Sequence, residues 1–156
     1  MNSDFKDLLK AFNEAGVRYL IVGGWAYMEH VEPRYTKDLD VWTERSPENA
    51  ERTLAALKAF GAPLSELSND DLIAPGTFYQ IGLPPNRIDI ITQLEGMDFA
   101  ECWERRKTVE FGELSLEYLS LDDLIENKER TARPQDLADA AHLRTARENR
   151  RDRKDE

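Results

Sequence analysis

Asp38-Leu39-Asp40-Val41-Trp42 places two acids at alternate positions of an otherwise apolar run, with Gly23-Gly24 upstream and Arg87-Ile88-Asp89-Ile90-Ile91 downstream. A β-strand turns successive side chains to opposite faces, so Asp38 and Asp40 share one face while Leu39 and Val41 take the other. In the second run the same alternation sets Asp89 among β-branched residues. If the two strands pair, three carboxylates meet. Such groups repel one another unless a cation neutralises them, and hard oxygen ligands favour Mg²⁺ or Mn²⁺ over softer metals. The constellation reads as a divalent-metal site for phosphoryl chemistry.

Outward from this centre the chain alternates helical and extended patterns. Ser3 is placed to cap a first helix carrying Phe5, Leu8, Leu9 and Phe12, which Gly16 ends. Val17 to Val22 reads as a buried strand, and Gly23-Gly24 permits a tight turn into a helix from Trp25 to about Val31 before Pro33. Asp38 to Trp42 is the second strand. Ser46 as cap and Pro47 at the first helical position open a helix that Gly61 closes. The polar stretch from Ala62 to Pro75 is expected to be a loop with at most a short helical turn. Gly76 to Leu83 and Arg87 to Leu94 read as a hairpin around Pro84-Pro85-Asn86. Asp98 to Arg105 suits a short helix, and a second hairpin is expected about Gly112-Glu113. Ser120 with Asp123 makes a capping-box-like start for a helix through Lys128, and Pro134 starts the last one. Helices among strands early and hairpins later predict an α+β fold, a mixed sheet with helices packed mainly on one side.

A strand ending in Gly-Gly or Gly-Ser, a helix, a strand with Asp-x-Asp and a third acid on a neighbouring strand is the pattern of the nucleotidyltransferases of the DNA polymerase beta type. Tyr19-Leu20-Ile21-Val22-Gly23-Gly24, Arg34-Tyr35-Thr36-Lys37-Asp38-Leu39-Asp40-Val41 and Asp89 resemble it part by part. Ser46-Pro47-Glu48-Asn49-Ala50, Pro84-Pro85-Asn86-Arg87-Ile88-Asp89, Leu124-Ile125-Glu126-Asn127-Lys128 and Arg133-Pro134-Gln135-Asp136-Leu137-Ala138-Asp139 are similar to a small bacterial family within it, related to the abortive-infection toxin nucleotidyltransferases. The resemblance implies transfer of a nucleoside monophosphate from an NTP to a hydroxyl on a small molecule, a tRNA or a protein. It further implies two Mg²⁺ or Mn²⁺ ions, with Asp38 and Asp40 bridging them and Asp89 on the acceptor side as ligand and proton acceptor. A toxin of a toxin–antitoxin pair is the setting it suggests.

The triphosphate needs donors and positive charge. Gly23 and Gly24 would let phosphate approach main-chain N–H groups at a helix start. Gly24 stands where many members of the family have serine, which removes a hydroxyl contact. Arg34, Thr36 and Lys37 precede the acids, and Lys128 and Arg133 are the late basic candidates. Lys128 could instead pair with Asp122, Asp123 or Glu126 on a solvated face. Asp136 and Asp139, three apart on one helix, would orient Arg133 or Lys128. His30 and His142 lack metal-ligand spacing and are expected to be packed or capped.

The 156 residues suit one domain, read as 1–146 with a frayed charged tail over 147–156. The 40% hydrophobic content fits a globular protein, and no apolar run nears the roughly 18 residues of a membrane span. Met1-Asn2-Ser3-Asp4-Phe5-Lys6 lacks a signal-peptide layout, which suggests the cytoplasm. Cys102 is the single cysteine and reads as a small buried hydrophobe. A net charge of −10, from 31 acids and 21 bases, argues against broad binding of duplex nucleic acid yet leaves room for a small anion or a protein partner. Two other functions suit the same features: a catalytically inactive nucleotide-binding sensor or scaffold, and an acidic, antitoxin-like interaction module.

Overall fold

In the computed structural model the described residues are 1–34, 38–83 and 86–155. Thr36 and Lys37, both phosphate candidates, lie outside them, as do Pro84 and Pro85 of the first hairpin turn. The first half runs α1 (Ser3–Ala15), β1 (Tyr19–Val22), α2 (Gly23–His30), β2 (Asp38–Thr43), α3 (Pro47–Phe60) and α4 (Asn69–Ile73). The second runs β3 (Phe78–Ile81), β4 (Arg87–Ile91), α5 (Phe99–Glu104), β5 (Lys107–Phe111), β6 (Leu114–Tyr118), α6 (Leu121–Thr131) and α7 (Pro134–Asp155).

Six strands form one mixed sheet in the order β3-β4-β2-β1-β6-β5. The expected hairpins are present as antiparallel β3–β4 and β5–β6. β2 runs antiparallel to β1 and parallel to β4, so Asp40 lies opposite Val22 on one side and Asp89 on the other, and Asp38 lies opposite Arg87. Paired residues in a ladder point to the same face, and the acids therefore share one face with Arg87. The opposite face carries Leu39, Val41, Ile88 and Ile90, each essentially buried. α1 packs there, its Phe12 ring 5.6 Å from Tyr19. On the acid face, α5 sets the partly buried Phe99 against the buried Trp42 at 5.0 Å, so an aromatic pair borders the row of carboxylates. This is the expected α+β class with a mixed sheet.

Local chemistry explains most helix ends. Asn2, not Ser3, caps α1, since its side chain accepts from the Phe5 N–H at 2.9 Å. Ser46 caps α3 with Pro47 behind it, as the sequence predicts. The stretch read as a loop contains α4, whose Ser68 and Asp71 form a reciprocal capping box. At α6, Ser120 accepts from the Asp123 N–H, but the Asp123 carboxylate turns away to Arg105. The run 147–156, expected to fray, is helical as far as Asp155 because distant partners hold α7. Arg147 donates to Asp122 at 3.0 Å, and Arg150 donates to the His30 carbonyl at 2.9 Å, capping the C-terminus of α2. Among the described residues no helix is long and apolar enough to cross a membrane.

Candidate functional site

Gly23 has φ near +63°, a left-handed conformation that favours glycine, and it opens α2 directly after the buried β1. A β-carbon there would fall 2.2 Å from Asp40 Oδ2. The missing side chain is thus the space into which the Asp40 carboxylate fits. The preceding Val22 provides no side-chain cap, which leaves the first N–H groups of α2 without that kind of partner. Sequence reasoning assigned both glycines to phosphate. The structure gives Gly23 a prior task, admitting an acid against the backbone.

Asp38, Asp40 and Asp89 come together at the junction of β1, β2 and β4. Asp89 is 3% exposed. Burial raises the Asp40 carboxyl to about 7, and the charge of Asp89, a hydrogen bond to Asp89 and the charge of Asp38 push the same way against Arg87. Carboxylates held this close repel one another, and that repulsion together with burial favours a proton on Asp40. Arg87 supplies the facing cation: its Nη2 donates to Asp38 Oδ2 at 2.5 Å and to Asp89 Oδ2 at 3.2 Å. Sequence reasoning missed Arg87, although its place two residues before Asp89 puts it on the same face.

The set is all carboxylate oxygen, crowded and partly desolvated, which suits a hard divalent cation in place of the proton favoured on Asp40. Among the described residues, no three acidic, histidine or cysteine side chains are already gathered about one ion-sized point. The residues fit the ion by chemistry, and the Arg87 guanidinium lies among them.

A second cluster sits where α7 meets α2 and α6. Arg34 grips Asp139 with two nitrogens, at 2.8 and 3.2 Å, and lies 3.6 Å over the Tyr27 ring. Lys128, only 14% exposed, reaches Asp139 at 3.1 Å and Asp136 at 3.6 Å. Its carboxylate partners are therefore those of α7. The three acids weighed for a solvated face are engaged elsewhere: Asp122 with Arg147, Asp123 with Arg105, Glu126 with Arg130. Arg133 pairs with Asp136 at 2.7 Å, but its side chain is 78% exposed. Burial pushes the Asp136 carboxyl up, yet hydrogen bonds from Arg133 and Thr131 and the Lys128 charge overcome this and bring it to about 2. Asp139 is likewise held below the usual range against its burial by Arg34, Gln135 and Lys128. The structure thus joins Arg34, Lys128 and Arg133, which are far apart in sequence, around two buried carboxylates.

His30 is packed, whereas His142 is exposed and engaged by a neighbouring hydroxyl. His30 Nε2 must donate to the Leu119 carbonyl at 2.9 Å, and burial lowers its pKa. His142 Nδ1 meets the Tyr27 hydroxyl at 3.2 Å. Cys102 is buried, and burial next to Asp123 raises its thiol to about 12, which leaves it a poor nucleophile.

The fold recurs in solved structures. A Thermotoga maritima protein assigned as a nucleotidyltransferase superposes with a TM-score of 0.61 at 16% identity, covering 90% of this chain and 88% of its own. ANT(2″)-Ia, solved with adenylyl-2″-tobramycin, gives 0.56 at 17% identity over 89% of this chain and 84% of its own. The chain has the fold of these nucleotidyltransferases. No protein-family model matches the sequence, and comparison with curated proteins gives no significant match.

Proposed function

We propose that the protein is a metal-dependent nucleotidyltransferase that moves a nucleoside monophosphate from an NTP to a hydroxyl acceptor. The observation that carries this reading is the row formed by Asp38, Asp40 and Asp89, with Asp40 seated in the space left by Gly23. These carboxylates would hold Mg²⁺ or Mn²⁺, two ions in the active complex, which would offset the triphosphate charge and acidify the acceptor hydroxyl. Asp89, on the acceptor side, takes the proton that leaves the hydroxyl at its carboxylate. The acceptor oxygen then bonds to the α-phosphorus while the bond to the bridging oxygen breaks, and pyrophosphate departs.

The chain's own donors orient the nucleotide. Gly24 and the other first N–H groups of α2 face phosphate, helped by the dipole of that helix. Arg34 and Lys128, held by Asp139, supply positive charge, with Arg133 beside them. Thr36 and Lys37 complete the set by their place directly before Asp38. The acceptor is a small molecule, a tRNA or a protein. The likeness to ANT(2″)-Ia supports the first, and the sequence resemblance to the abortive-infection toxins supports the others and a cytoplasmic toxin role. The test is release of pyrophosphate by the purified protein with Mg²⁺ or Mn²⁺, each of the four NTPs and a panel of acceptors, against Asp38→Asn/Asp40→Asn. Nucleotide binding without pyrophosphate release under every condition would favour an inactive sensor, for which Gly24 in the place of a serine hydroxyl is the supporting feature. A stoichiometric partner with no nucleotide binding would favour an antitoxin-like module.

A further inference from the structure

The guanidinium of Arg87 neutralises acids that the proposed reaction needs for metal. Its position follows from register, since Arg87 is the ladder partner of Asp38 and lies two residues from Asp89 on the same strand face. One nitrogen, Nη2, serves both Asp38 and Asp89. Nε lies 3.2 Å from Asp89 Oδ1, yet both atoms are buried and neither makes a hydrogen bond, so the fork meets Asp89 as a charge without the aligned pair of bonds a guanidinium can offer. The side chain is 30% exposed, which leaves a route toward solvent. The guanidinium holds both acids through hydrogen bonds from one nitrogen while its Nε makes none.

We infer that Arg87 is an internal counter-cation, occupying the acid row in the ligand-free chain and giving way when metal and nucleotide arrive together. This rests on the metal reading of Asp38, Asp40 and Asp89. Metal alone must displace a guanidinium that then has no anionic partner, which opposes its binding. A triphosphate arriving with the metal offers the released guanidinium new oxygens. Metal and nucleotide therefore bind cooperatively, and Arg87 is the element that links them. The acid row binds a bare cation weakly and the metal–nucleotide complex more tightly.

The experiment is Mn²⁺ titration, read by the spin-resonance signal of the free ion, on wild type, Arg87→Gln and Arg87→Lys, each with and without a non-hydrolysable NTP analogue. Arg87→Gln is expected to bind Mn²⁺ alone about tenfold more tightly than wild type and to lose most of the nucleotide-induced gain, which in wild type should reach about fivefold or more. Arg87→Lys, which keeps the charge but not the fork, should fall between them and serves should Arg87→Gln fail to fold. Equal or weaker binding of Mn²⁺ alone by the folded variants would overturn the inference. Equal Mn²⁺ binding by wild type and Asp38→Asn/Asp40→Asn would instead remove the metal site itself, and so marks failure of the earlier reading.

Discussion

The acid row on β2 and β4 and the cluster between α6 and α7 are built from the same kinds of side chain in opposite proportion. In the first, among the described residues, three carboxylates face one guanidinium, and Asp40 keeps a proton to about pH 7. In the second, three cationic side chains surround two buried carboxylates, and both acids are held ionised, Asp136 down to about 2. On the proposed function, the acid-rich corner would take a cation and the base-rich cluster an anion. A metal–triphosphate complex presents both, and Arg34 belongs to the second cluster while lying four residues before Asp38 of the first.

The largest effect should come from emptying the first cluster of its charge. Asp38→Asn with Asp40→Asn is expected to reduce nucleotidyl transfer to background and to abolish the rise in melting temperature that Mn²⁺ or Mg²⁺ gives wild type, while the chelated variant melts no lower than chelated wild type. Thermal melts with metal and with chelator, beside pyrophosphate release, check all three. A preserved metal response would erase the contrast, because the row would then be no better prepared for a cation than any other acidic face.

Acidity offers a finer probe of the same corner. The Asp40 carboxyl is raised to about 7, so between roughly pH 4 and 7 the folded chain keeps a proton that the unfolded chain has lost. Stability of the chelated protein therefore falls as pH rises through that window and levels off above it. The slope from one proton is at most about 1.4 kcal/mol per pH unit. His30 works in the other direction, since its pKa is lowered by burial and then by Arg150 and Lys107, and its folded form loses stability as pH drops below about 6.5. The informative quantity is thus the difference between wild type and Asp40→Asn in denaturant unfolding from pH 4 to 8. Parallel profiles would show that Asp40 is not the proton holder.

In the second cluster the sensitive member is an acid. Asp139 is 1% exposed and anchors Arg34, Lys128 and Gln135, and Asp139→Asn leaves two cations without their shared charge. A loss of about 2 to 3 kcal/mol is expected, at or below the lower end for broken buried pairs because Arg34 is partly open to solvent. NTP affinity should drop with it. Urea unfolding and nucleotide titration on the same samples measure both, and an unchanged affinity would make this cluster a structural tie between α7 and the rest.

What the sequence disclosed follows range of interaction. Strand alternation has a period of two, so Asp38, Asp40 and Asp89 were legible as one face once the strands were placed, and their meeting required only that β2 and β4 pair. Caps and hairpins are local and came through, except where two capping residues compete, as Asn2 and Ser3 do, or where a polar stretch hides a reciprocal box, as at Ser68 and Asp71. That Arg87 shares a face with Asp89 was legible from its place two residues earlier, whereas its contact with Asp38 depends on the parallel register that sets the two opposite each other. The grip of Arg34 on Asp139 joins residues 105 apart in sequence, and no periodicity announces it. The helical state of 147–155 depends in the same way on Asp122 and the His30 carbonyl, partners that composition alone does not name.

The smallest effect is the one that separates the two uses of the second cluster most cleanly. Lys128→Ala removes a cation but strands neither acid, since Asp136 keeps Arg133 and Asp139 keeps Arg34 and Gln135. Stability should therefore change by only about 1 kcal/mol. If Lys128 also meets triphosphate, NTP binding at fixed metal weakens by about 1 to 3 kcal/mol, the range for a charge-assisted contact. Binding would then suffer as much as folding or more, the reverse of what a purely structural ion pair produces. Arg133→Ala is the internal comparison: its guanidinium stands mostly in solvent, and with no burial to strengthen the contact its effect on NTP binding should be smaller than that of Lys128→Ala. Isothermal titration of both variants with a non-hydrolysable NTP decides the order. Should Arg133→Ala prove the more damaging, the phosphate-facing side of the cluster is its solvent edge rather than the buried ammonium, and the excess positive charge there serves nucleotide from the outside.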